Sequence, residues 1–393
     1  MIYLNDCALV CALGATTAAV AQALLVDGAS GLAMSDACSP GRPLALGRVD
    51  VPLPDVAHLP LAQRSRNNQL ALAALVQMRP AVDAAIARYG AHRVGIVIGT
   101  STSGVAATEA ALQALNAGGA LPAHFHYGQQ EMASPATMLA QLLGTGGPAY
   151  VHSSACASSA KALASAARLL NMGLCDAVIA GGVDTLCAFT VAGFSALESV
   201  SAAPCNPLGA SRSGINLGEA AALFLMTREP AAVALCGWGE SADGHHMSAP
   251  DPQGGGARLA MAAALARAGI TAADIDYINL HGTATLQNDA MEAGAVAALF
   301  GHAVPVSSTK PMTGHTLGAA GALEAGLCWL AMQDANAEGR LPPHLWDGVP
   351  DPALPPLHVA LPGAKLGRPV RWALSNSFAF GGANATLVLG RAA

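Results

Sequence analysis

The stretch VHSSACASSAKALASAARLL, residues Val151 to Leu170, decides the fold of this chain. Val151 is predicted to end a strand, and Ser153 and Ser154 are expected to cap the helix that follows. That helix is built almost wholly from small and aliphatic residues, so it has nearly no polar face. A helix that is apolar on nearly every side is buried on nearly every side. The stretch therefore predicts a helix that lies inside the molecule.

Cys156 lies in the predicted first turn of this helix. Unpaired backbone N–H groups and the positive end of the helix dipole converge there, and such an environment lowers the pKa of a thiol. A cysteine can also fill a core as a small apolar residue. That second interpretation accounts well for the cysteines in apolar runs, which are Cys175, Cys187, Cys236 and Cys328. For Cys156 its position alone leaves both interpretations open.

The composition limits the class of protein. Only 11% of the 393 residues are charged, against about 25% in typical soluble domains. So little charge leaves a poorly covered surface, which predicts a large buried subunit interface. No run approaches about 18 uninterrupted apolar residues, so no membrane span is expected. The net charge of −6 without basic clusters argues against a nucleic-acid partner.

The N-terminal sequence and the cysteines predict a reduced, cytoplasmic protein. No Lys or Arg precedes Arg42, so the positively charged region of a signal peptide is missing. The 9 cysteines, an odd number without compact spacing, argue against a disulfide framework. Neither CxxC nor paired Cys/His spacing is present, so no metal site is predicted.

Strand and helix patterns alternate along the chain. Strand patterns run through His92–Gly104, Asp176–Leu186, Ala221–Glu229 and Ile275–Thr285, and Gly254–Ile270 has the pattern of a helix. This alternation predicts an α/β architecture.

Three motifs of the first half return in the same order in the second. The pairs are GTSTSG (from Gly99) with GTATLQ (from Gly282), SSACASSA (from Ser153) with SSTKPMTGH (from Ser307), and AGGVDTL (from Ala180) with FGGANATL (from Phe380). Their shared order predicts a duplication, with an N-terminal half over residues 1–228 and a C-terminal half over residues 229–393. The linker would lie near residues 228–232, and reactive turns from the two halves would converge.

Reactive or polar side chains follow four predicted strands, at the ends where open α/β sheets bind their ligands. The four segments are SSACASS with Cys156, NLHGTAT with His281, STKPMTGHTLGAAG with Lys310 and His315, and SNSFAFGGANA with Phe380. In these motifs, in their order and in their spacing, nearly the whole chain resembles the elongating β-ketoacyl-acyl-carrier-protein synthases. These are the condensing enzymes of fatty acid and polyketide assembly.

The resemblance implies a thiolase fold, with two pseudo-symmetric βαβαβαββ halves stacked in five layers α-β-α-β-α. The helix after Cys156 would be the central layer, with protein on both sides. A dimer is also implied, either a homodimer or a heterodimer with a non-catalytic chain length factor. The substrate-bearing partner would be an acyl carrier protein.

The resemblance also assigns the catalytic roles. Cys156 would hold the acyl chain as a thioester, and His281 and His315 would stabilise the enolate formed when malonyl-thioester loses carbon dioxide. Either histidine could also move protons or activate water, and the sequence leaves that division open. The backbone N–H groups of Cys156 and Phe380 would form an oxyanion hole. No cofactor is expected, because the substrates arrive on the phosphopantetheine arm of the carrier protein.

Two carboxylates and a lysine are assigned supporting roles by the same resemblance. Lys310 and Glu324 would form a charge pair that orients His315, with a surface ion pair as the alternative. Glu292, in LQNDAMEAG, matches a second structural carboxylate.

Four residues are assigned to substrate binding. Thr283 and Thr285 resemble the pair that hydrogen-bonds the phosphopantetheine arm, and simple turn chemistry is the alternative. Phe378 and Ala379 belong to the gating loop of SNSFAFGGANA. Housekeeping enzymes read GFGG there, so Ala379 is expected to restrict the backbone where the loop must swing.

Two further segments bear on partners. Arg64 and Arg66, in LAQRSRNNQ, fall where the family places its carrier-docking charges, with a solvated helix start as the alternative. The segment RSGINLGEAAALFLM (Arg212–Met226) departs from the housekeeping pattern RDGFVxGEGAGxLVLE. It is similar to the ketosynthases of bacterial aryl polyene pigment clusters.

Four alternatives differ from this chain at identifiable positions. A degradative thiolase needs a second catalytic cysteine in its last glycine-rich loop, and SNSFAFGGANA has none. Initiating synthases use Cys-His-Asn, and His315 stands where their asparagine belongs. A chain length factor lacks the nucleophile, which Cys156 argues against. A cysteine hydrolase has no need for two histidines and the lysine motif.

Overall fold

The computed structural model describes residues 1–391, which contain thirteen β-strands and ten α-helices. The strands are β1 (Ile2–Val10), β2 (Ala33–Ser35), β3 (Leu44–Leu46), β4 (Val94–Gly99), β5 (Ala149–His152), β6 (Ala177–Asp184), β7 (Ala220–Thr227), β8 (Val233–Ala242), β9 (Tyr277–Asn279), β10 (Pro305–Ser307), β11 (His358–Val359), β12 (Trp372–Ala379) and β13 (Ala383–Arg391). The helices are α1 (Thr17–Gln22), α2 (Arg66–Tyr89), α3 (Val105–Asn116), α4 (Ser134–Leu143), α5 (Ser158–Asn171), α6 (Ala188–Ala196), α7 (Gly255–Ala268), α8 (Leu286–Phe300), α9 (Lys310–Thr313) and α10 (Ala320–Ala331).

Two sheets repeat one topology. The first has the order β5-β4-β6-β7-β1, and the second has the order β10-β9-β12-β13-β8, with β11 added beside β10. In each sheet the first three strands run parallel and the last two pairings are antiparallel. A short antiparallel pairing, Ile2 with Leu235 and Tyr3 with Ala234, joins β1 to β8. Each half therefore reads βαβαβαββ, as the resemblance implies.

The helices form three layers around these sheets. α2 and α4 pack on strands of the first sheet, and α7 packs on β8, β13 and α8 of the second half. α5 contacts β4 and β6 of the first sheet and also β13 and β8 of the second, while α10 contacts β7 and β12. These two helices therefore lie between the sheets, and the five-layer α-β-α-β-α thiolase fold is confirmed.

The central layer is closely packed because its helices carry small residues. Eleven of the fourteen residues of α5 are buried, which confirms the prediction of an enclosed helix. A Cβ placed on Gly321 of α10 would lie 2.7 Å from the Cβ of Ala160 in α5. Glycine at this crossing lets the two backbones approach one another.

One of the three sequence echoes is wrong. Topology makes β12 the equivalent of β6, whereas the third echo pairs Ala180, inside β6, with Phe380, in the turn between β12 and β13. The two Gly-Gly pairs have different roles. A Cβ on Gly181 would collide with the Ala222 carbonyl of the neighbouring strand, but Gly381 makes a turn at a φ of 81° with open space around it. The other two echoes fall at equivalent strand ends.

Helix α2 is long and apolar enough to cross a membrane by length and composition alone. It packs on β1, β6 and β7 and on α4, and its exposed side carries an Arg79–Asp83 ion pair. α2 is therefore a helix of the outer layer, packed against the first sheet.

Candidate active site

Cys156 precedes the central helix instead of lying in its first turn. α5 begins at Ser158, and the residue at its N-cap position is Ala157, whose side chain has no oxygen to offer. The prediction that Ser153 and Ser154 cap this helix is therefore wrong. The chain makes an additional turn after β5, and that turn carries the cysteine.

A serine in the helix holds this turn. The Ser158 hydroxyl donates to the Ala155 carbonyl at 2.6 Å and accepts from the Ser154 N–H at 2.8 Å. Ala155 adopts a φ of 46°, a left-handed conformation that is uncommon for a residue with a Cβ. Such strain persists where the surroundings over-determine the backbone, often beside a functional group. Here it directs the Cys156 side chain into the site.

The thiol and the two predicted histidines meet in one buried cluster. The Cys156 Sγ lies 3.0 Å from the His315 Nε2. The His281 ring stands edge-on to the His315 ring, with 5.2 Å between centroids. Cys156, His281 and His315 are 6%, 1% and 2% exposed. Residues separated by well over a hundred positions are therefore brought into direct contact.

Burial controls the protonation of this cluster. It raises the pKa of the Cys156 thiol to about 12, opposed by the Lys310 charge and by the Phe380 N–H. Burial and the Lys310 charge also lower the pKa of both His281 and His315 well below the ordinary value. The expectation of a lowered thiol pKa is therefore wrong, for two reasons. Cys156 is buried away from solvent, and it lies before the first turn of the helix instead of inside it. At neutral pH a thiol therefore faces a neutral imidazole.

The Lys310–Glu324 pair supports His281, which corrects the expectation that it orients His315. The Lys310 Nζ contacts the Glu324 carboxylate at 2.5 Å, the His281 carbonyl oxygen, and the His281 Nδ1 at 3.4 Å. An ammonium can only donate, so the Nδ1 of His281 accepts and its Nε2 carries the proton. In the described chain the Nδ1 of His315 has no hydrogen-bond partner. The two histidines therefore differ: the Lys310 contact fixes His281 as an N–H donor at Nε2, whereas the ring of His315 has the thiol at its Nε2 and no partner at its Nδ1.

Glu292 fixes the turn that carries His281. Its carboxylate accepts from the His281 N–H at 2.8 Å and the Gly282 N–H at 2.7 Å, and from the Asn376 amide at 3.2 Å. Burial raises the pKa of this carboxyl to about 7. Its side chain lies beneath the turn and positions the histidine through the backbone.

A cleft with both polar and apolar walls leads to the cluster from outside, and it is named the polar cleft because it is the more polar of the two spaces that reach Cys156. Its empty volume is about 620 Å³, and Cys156, Thr283 and Thr285 are among its lining residues. The two threonine hydroxyls lie 3.0 Å apart in this wall. Phe378 lines the same cleft and packs against the His281 ring at 6.3 Å.

A second, mostly apolar cavity also reaches Cys156; it opens to the surface, and its empty volume, mouth included, is about 710 Å³. Its walls include Phe194, Thr102 and Leu317, none of which was predicted from the sequence to be a site residue. The GTSTSG echo could have pointed to Thr102, whereas nothing in the sequence around Phe194 distinguishes it from a core residue. Phe380 and Phe194 line both spaces, with their rings 5.6 Å apart, so the two phenylalanines stand between them.

The gating loop is relaxed in this conformation. Ala379 has a φ of −100°, an ordinary value that any residue adopts. The left-handed positions are the following Gly381 and Gly382, at φ 81° and 72°. The expected restriction at Ala379 is therefore absent from the resting loop, and its effect on a swinging loop stays a prediction.

The two arginines proposed for docking differ in availability. The Arg66 guanidinium donates to the Glu219 carboxylate at 2.6 and 3.0 Å and to the Val49 carbonyl. Glu219 is buried, so Arg66 is committed to an internal ion pair and contributes little free charge. Arg64 is exposed, and its guanidinium donates only its Nε–H, to the Leu59 carbonyl. A docking role therefore stays a prediction for Arg64 and loses its basis for Arg66.

The donor atoms of the cluster could also hold a metal ion. The Cys156 sulfur and one nitrogen each of His281 and His315 lie within 4.8 Å of one another. Thiolate and imidazole are zinc-type ligands. That the site works without a metal stays a prediction.

Comparison with known proteins covers both halves of the chain. The family model of the β-ketoacyl synthase N-terminal domain matches residues 61–232, and that of the C-terminal domain matches residues 232–345. Nodulation protein E of Rhizobium sp. (strain N33) is 38% identical over 310 residues, 76% of this chain and 75% of that protein. The 3-oxoacyl-[acyl-carrier-protein] synthase 2 of Staphylococcus aureus is 32% identical over 352 residues, 84% of this chain and 86% of that protein.

A solved structure resembles the whole chain. The ketosynthase ApeO of Xenorhabdus doucetiae, in complex with its chain length factor ApeC, is 44% identical and superposes with a TM-score of 0.94. The match covers 100% of this chain and 98% of that one. Fold and site together thus define a thiolase-fold condensing enzyme. The chain belongs to the β-ketoacyl synthase family, and it is a β-ketoacyl-acyl-carrier-protein synthase, an acyltransferase that extends acyl chains by decarboxylative condensation.

Proposed function

We propose that Cys156 holds the growing chain and that the two histidines divide the remaining chemistry. The observation that carries this proposal is the 3.0 Å contact between the Cys156 Sγ and the neutral His315, at the junction of a polar cleft and an apolar cavity. In the first step the thiol gives its proton to the His315 Nε2 as sulfur attacks the acyl thioester. The Phe380 N–H and the Cys156 N–H, which both face this sulfur, would bind the oxyanion. The thiol of the carrier protein leaves with the proton.

In the second step malonyl-thioester occupies the polar cleft and loses carbon dioxide. The electron pair of the broken carbon–carbon bond forms an enolate, whose oxygen accepts a hydrogen bond from the His281 Nε2–H. The enolate carbon then attacks the Cys156 thioester, the new carbon–carbon bond forms, and the sulfur leaves as a thiolate. Because the first proton left with the carrier thiol, this thiolate takes up a proton from solvent water, which balances the carboxylate charge lost as carbon dioxide. Lys310 assists as a positioning residue, because it fixes the tautomer of His281.

The two spaces suit the two parts of an acyl-carrier substrate. The apolar cavity, with Phe194 and Leu317 in its wall, would take the acyl chain. The polar cleft would take the phosphopantetheine arm, with Thr283 and Thr285 as hydrogen-bonding groups. Because Phe380 lines both, its rotation would admit the chain. No cofactor is required in this scheme, since every bond change is carried by cysteine, histidine and the substrates.

The proposed pathway is aryl polyene pigment synthesis in the cytoplasm, with the chain paired to a chain length factor. Support comes from the segment Arg212–Met226 and from the similarity to a ketosynthase that was solved with its chain length factor. An exposed apolar surface points the same way, because Leu112, Tyr127 and Phe189 would be left bare in a monomer.

Intact-mass analysis tests the proposed nucleophile. The protein is incubated with carrier proteins that bear acyl chains of different length, and peptide mapping locates the adduct. One acyl group on Cys156 is expected, with the other eight cysteines unmodified. An adduct at another residue, or none with any acyl-carrier substrate, contradicts the proposal.

Carrier docking is tested by comparing two charge reversals. R64E should raise KM for carrier-bound substrate several-fold, since the local positive charge steers an acidic carrier, and it should leave the thermal stability unchanged. R66E should instead lower stability, because it leaves buried Glu219 beside a like charge. An unchanged KM for R64E, measured at low salt, would exclude Arg64 from docking.

A further inference from the structure

The central helix α5 has one open face, and that face is basic. Along its middle, only Lys161 and Arg168 are not buried, and Ser165 between them is 9% exposed. Positions 161, 165 and 168 follow the i, i+4, i+7 spacing of a single helix face. The Ser165 hydroxyl lies 2.6 Å from the Tyr150 hydroxyl, so this face lies beside β5.

Strand β5 is an edge strand with unused hydrogen-bonding groups. It pairs with β4 on one side, and its other side has no partner strand in residues 1–391. The buried Nε2 of His152 also has no partner in this part of the chain. An unpaired edge is a template for a strand of another chain. The basic face of α5 would therefore line such an interface.

Lys161 lacks a counter-charge. Arg168 forms an ion pair with Glu240, but no carboxylate contacts the Lys161 ammonium anywhere in the described chain. Burial and the Arg168 charge both lower the pKa of Lys161. Burial lowers the pKa of His152, and the charges of Arg168 and Lys161 lower it further. A half-buried cation next to another cation is unfavourable until a carboxylate arrives.

Symmetry decides which partner can supply that carboxylate. Two copies paired antiparallel through β5 are related by a twofold axis perpendicular to the sheet, so both α5 helices lie on the same side. A twofold interface presents the same patch from each subunit. Self-pairing would therefore set Lys161 against the basic face of its copy, and like charges at an interface cost several kcal/mol.

We propose that Lys161 selects the partner: this surface binds a chain of the same fold that carries a carboxylate opposite Lys161, and it disfavours a second copy. The inference rests on the proposed pairing with a chain length factor and adds the charge that enforces it. Partner choice is thus made by repulsion of the wrong partner as well as attraction of the right one.

The self-association of four purified proteins tests whether the Lys161 charge disfavours a dimer of identical chains. Sedimentation velocity gives the dimer Kd of the wild type, K161E, K161M and R258E. Arg258 is exposed on α7, in the outer layer of the other half, so R258E matches the charge change away from β5. K161E should self-associate about tenfold more tightly than the wild type, because the introduced carboxylate can pair with Arg168 of the copy. K161M should lie between them, and R258E should equal the wild type.

Pairing with a chain length factor is measured separately, using ApeC of Xenorhabdus doucetiae and native mass spectrometry. K161E should lower the yield of the mixed dimer about tenfold relative to the wild type. Wild-type self-association as tight as that of K161E, or a K161E effect equal to that of R258E, overturns the role of Lys161. Failure of the wild type to pair with ApeC counts against the proposed pairing instead, and the self-association series still decides the role of the lysine.

Discussion

The turn after β4 and the turn after β9 occupy equivalent places in the two halves, and each is held by one buried carboxylate. Asp184 accepts from the N–H groups of Ser101 and Thr102, both at 3.0 Å. Glu292 accepts from the N–H groups of His281 and Gly282. Each of these two carboxylates, Asp184 and Glu292, acts as a clamp on the backbone of its turn. The turn after β4 contributes hydroxyl groups to the wall of the apolar cavity, whereas the turn after β9 contributes the His281 imidazole. The duplicated fold therefore gives the two turns the same backbone arrangement, and their different side chains determine what each turn does in the site.

The second pair of equivalent turns differs more. The turn after β5 presents Cys156, and it is held by backbone hydrogen bonds and the Ser158 hydroxyl. The turn after β10 presents a buried ammonium, Lys310, which is paired with Glu324. The Cys156 side chain needs only the correct orientation. His281, which donates a hydrogen bond, also needs a fixed tautomer, and Lys310 supplies the charge that fixes it. The half that stabilises the enolate therefore contains the buried charges.

Removal of the nucleophile should have the largest effect on this division of labour. C156A should abolish acyl loading, a loss of about 10³-fold or more in condensation, because no other group takes over covalent catalysis. C156Q, which mimics an acylated cysteine, should retain or raise malonyl decarboxylation. Carbon dioxide release and acyl-adduct mass are measured on the same samples. A covalent adduct on C156A would place the nucleophile elsewhere.

Changes to the buried Lys310–Glu324 pair should have the second-largest effect. K310M should lower decarboxylation by about 10²-fold, since electrostatic preorganisation of one donor is worth that much, and should destabilise the fold by leaving Glu324 unpaired. The double variant K310M/E324Q should recover the unfolding midpoint without recovering decarboxylation. Recovery of activity along with stability would reduce Lys310 to a structural role.

The two clamps should separate the half-reactions. Each of E292Q and D184N exchanges one acceptor oxygen for a donor, which leaves a backbone N–H unsatisfied at a cost of about 1–3 kcal/mol. E292Q should lower malonyl decarboxylation about tenfold and spare acyl loading, and D184N should do the reverse. Equal effects of both variants on both half-reactions would remove the functional distinction between the turns.

The same clamp variant also has a pH signature. Burial raises the pKa of Glu292 from 4.5 to about 7, so folding favours its protonated form. Its contribution to stability is complete below pH 4.5 and is lost as the pH rises through about 7. E292Q cannot titrate and should show a flatter profile of unfolding free energy over this range. Denaturant titrations at several pH values provide the measurement.

The gating loop should respond least. Because Ala379 has an ordinary φ in the resting loop, A379G should change acyl loading by less than about threefold and cost about 0.5–1 kcal/mol of stability. A larger change, or a shifted chain-length preference, would show that the moving loop passes through conformations that alanine resists. Stopped-flow loading with several acyl lengths distinguishes the two outcomes.

Some of this protein could be predicted from sequence because the signals are local. The apolar pattern after Val151 predicted an enclosed helix, and the strand-end motifs with Cys156, His281, His315 and Phe380 predicted groups that would meet. Parallel strands bring their ends to one edge of a sheet, which groups the turns with His281, His315 and Phe380 in the second half. The repeated motif order predicted that the Cys156 turn of the first half would converge on them. Glu292 was also identified, although its contact with the His281 turn was not.

Tertiary structure alone decided the remaining features, because each depends on groups that are distant along the chain. The solvent lost by Cys156 raised the pKa of its thiol, where helix position predicted the opposite. Lys310 lies five residues before His315 yet contacts His281, since the two strand ends are adjacent in the sheet. Arg66 faces Glu219 across 153 positions. Local sequence patterns determine which helices and strands form. Burial and charge pairing depend on residues that become neighbours only when those elements pack together.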